Sequence, residues 1–399
     1  MKNLLLLLLL LPATLAYSQK AKKKNNRNTN TGSFYVKTTD SLPFLNYGLG
    51  TDRLGGAKMT FLDSNVILKV VDSFGTQYKV QLSGNHNAWI EKANVVRTNW
   101  AFNPPYLSGS WTTRGDSLYD YLSISLPAKI PYRSRMDVNP SRIVIDLFGV
   151  VSNTNWITQL KSTKEIKNVW YNQEEDDLMR VYIELNHDLH WGYKIYYDTL
   201  NRLTVLIKRQ PASLRLRDLK IAVDAGHGGD QPGASGVRTA AKEKDYTLLF
   251  AKELQSALEV RGAHVVMTRD RDTTLTMFER ISHLYQEQPN LLVSIHFNSS
   301  SKESVQGVST YYRYVGFRPL SQAILNQMLT LELNNYGNIG SFNFSLNGPT
   351  AFPNCLVEVA FLSNPEDEQK IIDPVFRKNV AEKIVAGIED FLIQAEKDQ

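Results

Sequence analysis

Two histidines and two glutamates in this 399-residue chain stand where ordinary structural use gives them little reason to be. His227 sits where the apolar run IAVDA breaks into glycines, IAVDAGHGG, and His296 ends the run LLVSIH. Glu243 opens a helix-like stretch in AAKEKDYTLLF, sixteen residues after His227, and Glu358 interrupts the apolar run CLVEVAF. A carboxylate in such a run is costly to bury without a partner. Taken singly, His227 reads as a loop histidine bonded to backbone, His296 as a polar strand end and Glu243 as an acid favoured at a helix N-terminus. Taken together they suggest metal chemistry. Two imidazoles and one carboxylate are the donor set of a catalytic zinc that keeps one position for water. Magnesium and calcium prefer oxygen-rich cages. Zinc lowers the pKa of bound water to about 7 and polarises a carbonyl, and a separate carboxylate is then needed to move protons, for which Glu358 is the candidate. The glycines after His227 also suggest a phosphate cradle, but their spacing is neither G-x-G-x-x-G nor a P-loop.

The elements that must position these residues follow an alternating grammar from Leu219 onward. KIAVDAG reads as a strand and KDYTLLFAKELQSALEVRG as a helix, with Ala251, Leu254 and Leu258 at helical spacing and Gly262 as its C-cap. Strands follow at AHVVMTR, LLVSIH, GVSTYY and NCLVEVAF, and helices at MFERISHLYQEQ, FRPLSQAILNQMLTLELNN and PVFRKNVAEKIVAGIEDFLIQ. Strand and helix in alternation predict an α/β domain over 218–396, a mostly parallel twisted sheet flanked by helices. In such a sheet the loops at the carboxyl ends of the strands converge on one crevice, where His227 and His296 can meet.

Two all-β domains are expected ahead of it. Short runs such as VILKVVDS, TQYKVQLS and NAWIEKANVV predict a small barrel over 34–100. SRIVIDLFG, LMRVYIELN and RLTVLIKR predict a β-sandwich over 110–210. The first sixteen residues, MKNLLLLLLLLPATLA, have the layout of a secretory signal peptide cleaved after Ala16. Residues 17–33 read as a flexible basic linker. Residues 1–32 hold six basic residues and no acid, so the net charge of +5 becomes −1 over the remainder, and the folded part is not a basic nucleic-acid binder. The expected destination is the periplasm, or otherwise secretion or the cell wall. Cys355, the single cysteine, excludes an intramolecular disulfide and reads as a small buried hydrophobe. His187 and His190 are spaced like a metal pair but lack further ligands nearby and read as polar loop residues. His264 and His283 have no ligand partners in sequence.

The motifs DAGHGG, KEKD, SIHFNSS and LVEVAFLSN, in that order, make residues 219–395 resemble the bacterial zinc-dependent N-acetylmuramoyl-L-alanine amidases. The resemblance implies that His227, Glu243 and His296 bind one Zn2+ and that Glu358 is the catalytic glutamate. It implies peptidoglycan as substrate, cut between N-acetylmuramic acid and L-alanine. Arg280 matches an arginine of the family and reads as architectural, and Asn298 and Asn364 match positions beside the site that fix backbone. The 34–100 segment resembles bacterial SH3-like domains and 110–210 the β-sandwich targeting module of some amidases, so both are expected to bind cell wall. Some family members carry a long insertion after the second histidine motif that blocks the metal until an activator protein arrives. SIHFNSSSKESVQGVSTYY leaves no room for it, which predicts an open site. FSLNGPTAFPNCLVE lacks the arginine expected before the catalytic strand, so substrate detail stays open. Two rivals remain: a wall-binding protein on a retired amidase fold, and a zinc peptidase cutting within the stem peptide with the same metal chemistry.

Overall fold

The computed structural model describes residues 32–50, 56–101 and 103–398. The leader read over 1–16 and nearly all of the linker 17–33 lie outside them. Among the described residues no helix is long and apolar enough to cross a membrane.

The N-terminal half is built of strands. Seven of them, from Phe34–Thr38 to Val95–Arg97, form one sheet whose pairings are antiparallel. Residues 106–208 form a five-stranded and a four-stranded sheet with a two-stranded ribbon. In Leu178–Leu185, LMRVYIEL, burial alternates along most of the strand, and Val181 and Ile183 face inward. Inward residues of all these sheets, among them Val36, Val80, Trp111, Leu122, Ile145, Val181 and Val205, join one apolar cluster. The paired histidines of this half do not form a metal site: His187 Nδ1 lies 2.6 Å from Glu165 Oε2, and buried His190 bonds Ser141 and the Asp137 carbonyl.

The C-terminal half forms a six-stranded sheet from β1 (Lys220–Ala225), β2 (His264–Met267), β3 (Leu291–Asn298), β4 (Val308–Tyr311), β5 (Asn335–Ile339) and β6 (Asn354–Phe361), in the order β2-β1-β3-β6-β4-β5. Neighbours run parallel except β4 and β6, which are antiparallel. Helices α1 (Glu243–Val260), α2 (Met277–Glu287), α3 (Arg318–Met328), α4 (Pro365–Ile372) and α5 (Pro374–Glu396) cover it. Side chains alternate across a sheet. Ile221, Val223, Leu291 and Val293 therefore pack on α1, α3 and α5 through Phe250, Leu254, Ile324 and Ile384, while Ala222 and Leu292 meet Ile281 and Leu284 of α2 on the other face. Burial on both faces explains the near-continuous apolar character of β1, β3 and β6. Cys355 is buried within β6, its thiol pushed up by burial, as expected of a small core residue.

Two elements escaped the sequence reading. The strand β5, NYGNI, is half exposed at the sheet edge and too polar to stand out. Helix α4, PEDEQKII, is short and rests on its Asn364 cap, whose side-chain oxygen accepts the Glu366 and Asp367 N–H groups.

Candidate metal centre

The site lies at the carboxyl ends of β1 and β3. β1 ends at Ala225, and the chain turns through Gly226 into His227, which has a left-handed backbone with φ of 59°. A non-glycine residue holds that conformation only where the surroundings enforce it. Here Arg280 of α2, itself buried, donates to the His227 carbonyl, to the Ala225 carbonyl (2.8 Å) and to Asp224 Oδ1 (2.5 Å). Arg269 and Thr247 both donate to the Gly226 carbonyl, at 2.9 and 2.7 Å. Three carbonyls in a row are thus pinned by buried donors.

His296 follows five buried residues of β3. Glu243 is the first residue of α1 and is buried. Its Oε1 lies 3.0 Å from His227 Nε2 and 3.0 Å from His296 Nδ1, and it accepts the Phe297 N–H at 3.1 Å. Its Oε2 accepts the Ala234 N–H at 2.7 Å. Burial alone would raise this carboxyl's pKa, but the two imidazoles overturn that and hold it well below the usual carboxylate range, so it is an anion. One ligand atom from each of His227, Glu243 and His296 lies within 4.8 Å of the others. Two glycines make the room: a Cβ on Gly226 would come 2.3 Å from the His296 ring, and one on Gly233 would come 2.4 Å from Glu243 Oε2. Two imidazole nitrogens and a carboxylate oxygen, partly open to solvent, suit a metal of zinc's type. The donor set fits the group that the sequence implies.

Glu358 stands beside them for a reason of register. On the parallel neighbour strand β6 it pairs with His296, and its side chain faces the same cleft as Leu356. The cleft has a volume of about 630 Å³ and is lined by His227, Glu243, His296, Glu358 and Asn298, together with Lys58, Asn343 and Phe344. The connection from Asn298 to Val308 holds no helix, and the His227 and His296 side chains remain 28% and 18% exposed, in line with the expected open site. Asn298 accepts the Ser299 N–H at 2.8 Å, the backbone-fixing role expected of it.

Residues 221–390 match the family model of the N-acetylmuramoyl-L-alanine amidases, a span that contains all four of these residues. The catalytic domain of CwlV, an N-acetylmuramoyl-L-alanine amidase from Bacillus (Paenibacillus) polymyxa, is 31% identical over 44% of this chain and 98% of its own length, with a TM-score of 0.42. The chain belongs to the N-acetylmuramoyl-L-alanine amidase family. The amidase from Clostridium difficile 630 is 29% identical over 44% of this chain and 97% of its own, with a TM-score of 0.42. The probable cell wall amidase LytH of Staphylococcus saprophyticus is 32% identical over 47% of this chain, which spans 62% of that relative's length.

Within this amidase-family unit, Arg280 is architectural, as read from sequence. Asp224, Arg269 and Thr247 were not singled out. Asp224 is part of the quoted DAGHGG, but its role shows only once Arg280, Thr268 and Ser294 are seen to converge on it at 2.5, 2.6 and 2.5 Å. His264 is exposed on β2 and His283 lies on α2, and neither joins the cluster.

Proposed function

We propose that the chain is an exported, zinc-dependent amidase that hydrolyses the bond between the lactyl group of N-acetylmuramic acid and L-alanine in peptidoglycan. The observation that carries this reading is the convergence of His227, Glu243 and His296 beside Glu358 in one open cleft. A retired site has no physical reason to keep that constellation, and the family match supports the bond chosen. His227, Glu243 and His296 hold the zinc, which when bound supplies an acidified water and a polarised scissile carbonyl.

The protein's own residues do the rest. Glu358 takes the proton of the attacking water and returns it to the leaving amine of L-alanine. Its register opposite His296 fixes its distance from the metal ligands. Glu243 stays ionised through its two imidazole contacts, and Arg280 and Arg269 hold the His227 turn in its left-handed form. The β-rich segments 34–100 and 110–210 serve as wall-binding modules, and the protein works in the periplasm.

Two variants test the roles. Glu358→Gln keeps zinc at one equivalent and loses about 100- to 10,000-fold in turnover of peptidoglycan, while His296→Ala loses both zinc and turnover. Near-normal turnover by Glu358→Gln would refute the assigned role.

A further inference from the structure

The cleft is not made by the amidase-family unit alone. Lys58 opens the strand Lys58–Phe61 of the N-terminal sheet and lines the same cavity as His227, His296 and Glu358. We infer that Lys58 is a specificity-determining residue of the amidase cleft and binds a carboxylate on the peptide side of the substrate. This rests on the proposed amidase activity.

Lys58 is held in place by its backbone. Its N–H donates to Asn343 Oδ1 at 3.1 Å, while Asn343 Nδ2 donates to the Gly56 carbonyl at 2.9 Å, so one asparagine side chain pairs with the strand start as another strand would. Arg313, just beyond β4, donates to the Lys58 carbonyl and to Asn343 Oδ1 at 3.4 Å. This places the ammonium against the loop that carries Phe344 and Leu346 into the cleft.

The ammonium itself has weak partners. Its Nζ reaches the Asn343 carbonyl at 3.4 Å and lies 5.2 Å from the centroid of the Phe44 ring. In the α/β half, by contrast, basic side chains meet acids: Lys220 meets Glu287, Lys244 meets Asp272 and Arg261 meets Glu382. Burial, with the nearby Arg313 charge as a smaller cause, lowers the Lys58 pKa to about 8, and no carboxylate among the described residues acts on it. A partly buried cation that lines a cleft and meets no carboxylate among the described residues is a site for an anion.

Substrate chemistry says which anion. The lactyl carboxyl of N-acetylmuramic acid is consumed in the scissile amide, so the sugar end offers no carboxylate there. The free carboxylates belong to the stem peptide. Lys58 therefore marks the peptide side of the cleft, and it also supplies a cation in a cleft whose segment before β6 lacks the arginine expected by resemblance.

The test is calorimetric binding of synthetic stem peptides that begin with L-alanine to the zinc-loaded full-length protein. One peptide has free carboxyls and the other has them amidated. The wild type is expected to prefer the free-carboxyl peptide, Lys58→Met to lose about tenfold to a hundredfold of that affinity, and Lys58→Arg to retain most of it. The amidated peptide binds both alike. Circular dichroism and thermal unfolding verify that Lys58→Met is folded; the backbone N–H that meets Asn343 is untouched by the change. Equal affinity of wild type and Lys58→Met for the free-carboxyl peptide would overturn the inference. Because binding does not depend on which bond is cut, loss of the amidase reading would show separately, as intact muramoyl–alanine bonds alongside Lys58-dependent binding.

Discussion

At Gly226 the chain has no room for a side chain, because a Cβ would sit 2.3 Å from the His296 ring. Gly226→Ala must therefore push the imidazole away from Glu243 and His227. We expect its zinc affinity, measured by competition with a metal-binding dye, to fall at least tenfold while the far-ultraviolet spectrum stays native. Unchanged affinity would mean that the ring is not held where the metal needs it. The ligands themselves were legible in the sequence, because metal chemistry demands polar residues at the ends of, or inside, apolar runs. Asp224 and Arg269 were not, since an acid beside a glycine turn and an arginine after a strand each have many ordinary uses. Their role depends on which carbonyls and hydroxyls they reach after folding. Lys58 was hidden for another reason: 285 residues separate it from Asn343.

Among the elements, β1 and α2 are joined by a buried charge pair. Asp224 and Arg280 are both about 1% exposed and form a buried pair that also fixes the backbone of His227. Removing one partner strands the other charge, so Arg280→Met should cost about 3–5 kcal/mol, measured by urea unfolding, and should lower metal affinity as the turn relaxes. A loss below 1 kcal/mol would contradict the architectural role. Burial pushes the Asp224 carboxyl up, but Arg280, with smaller help from His296, Ser294 and Thr268, holds it below the usual range. A depressed folded-state value contributes stability that is present above the unfolded value of about 3.9 and is lost as pH falls through the folded value. The stability gap between wild type and Asp224→Asn should accordingly be constant above about pH 5 and shrink in stronger acid. A gap that grows on acidification would reverse the sign. The long amphipathic α1 and α5 and the apolar β1, β3 and β6 could be read from periodicity and burial pattern, whereas β5 at the exposed edge and the cap-dependent α4 could not, because their stability comes from a neighbour or a cap and not from an apolar stripe.

Across the whole molecule, the strand-rich half does more than precede the α/β half. The Tyr193 N–H donates to the Thr350 carbonyl while the Thr350 hydroxyl donates to the Tyr193 carbonyl, Asp398 accepts the Asp188 and Leu189 N–H groups, and Asn343 ties the strand at Lys58 to the cleft. Asn343→Ala should loosen this last contact alone: amide exchange at residues 56–61 and 343–348 should accelerate while zinc content stays at one equivalent. Unchanged exchange would mean that the contact does not hold the N-terminal sheet to the cleft. Composition and strand-length runs reveal that such β-rich segments exist. Which of their residues reach the catalytic half is set by tertiary packing, and no local pattern encodes it. The central claim spans all three scales and has one direct test, the mass spectrum of products released when the purified chain digests intact peptidoglycan with and without a zinc chelator. The account predicts free stem peptides beginning with L-alanine, abolished by the chelator and restored by zinc. Products cut elsewhere in the stem peptide, or release that the chelator leaves untouched, would contradict it.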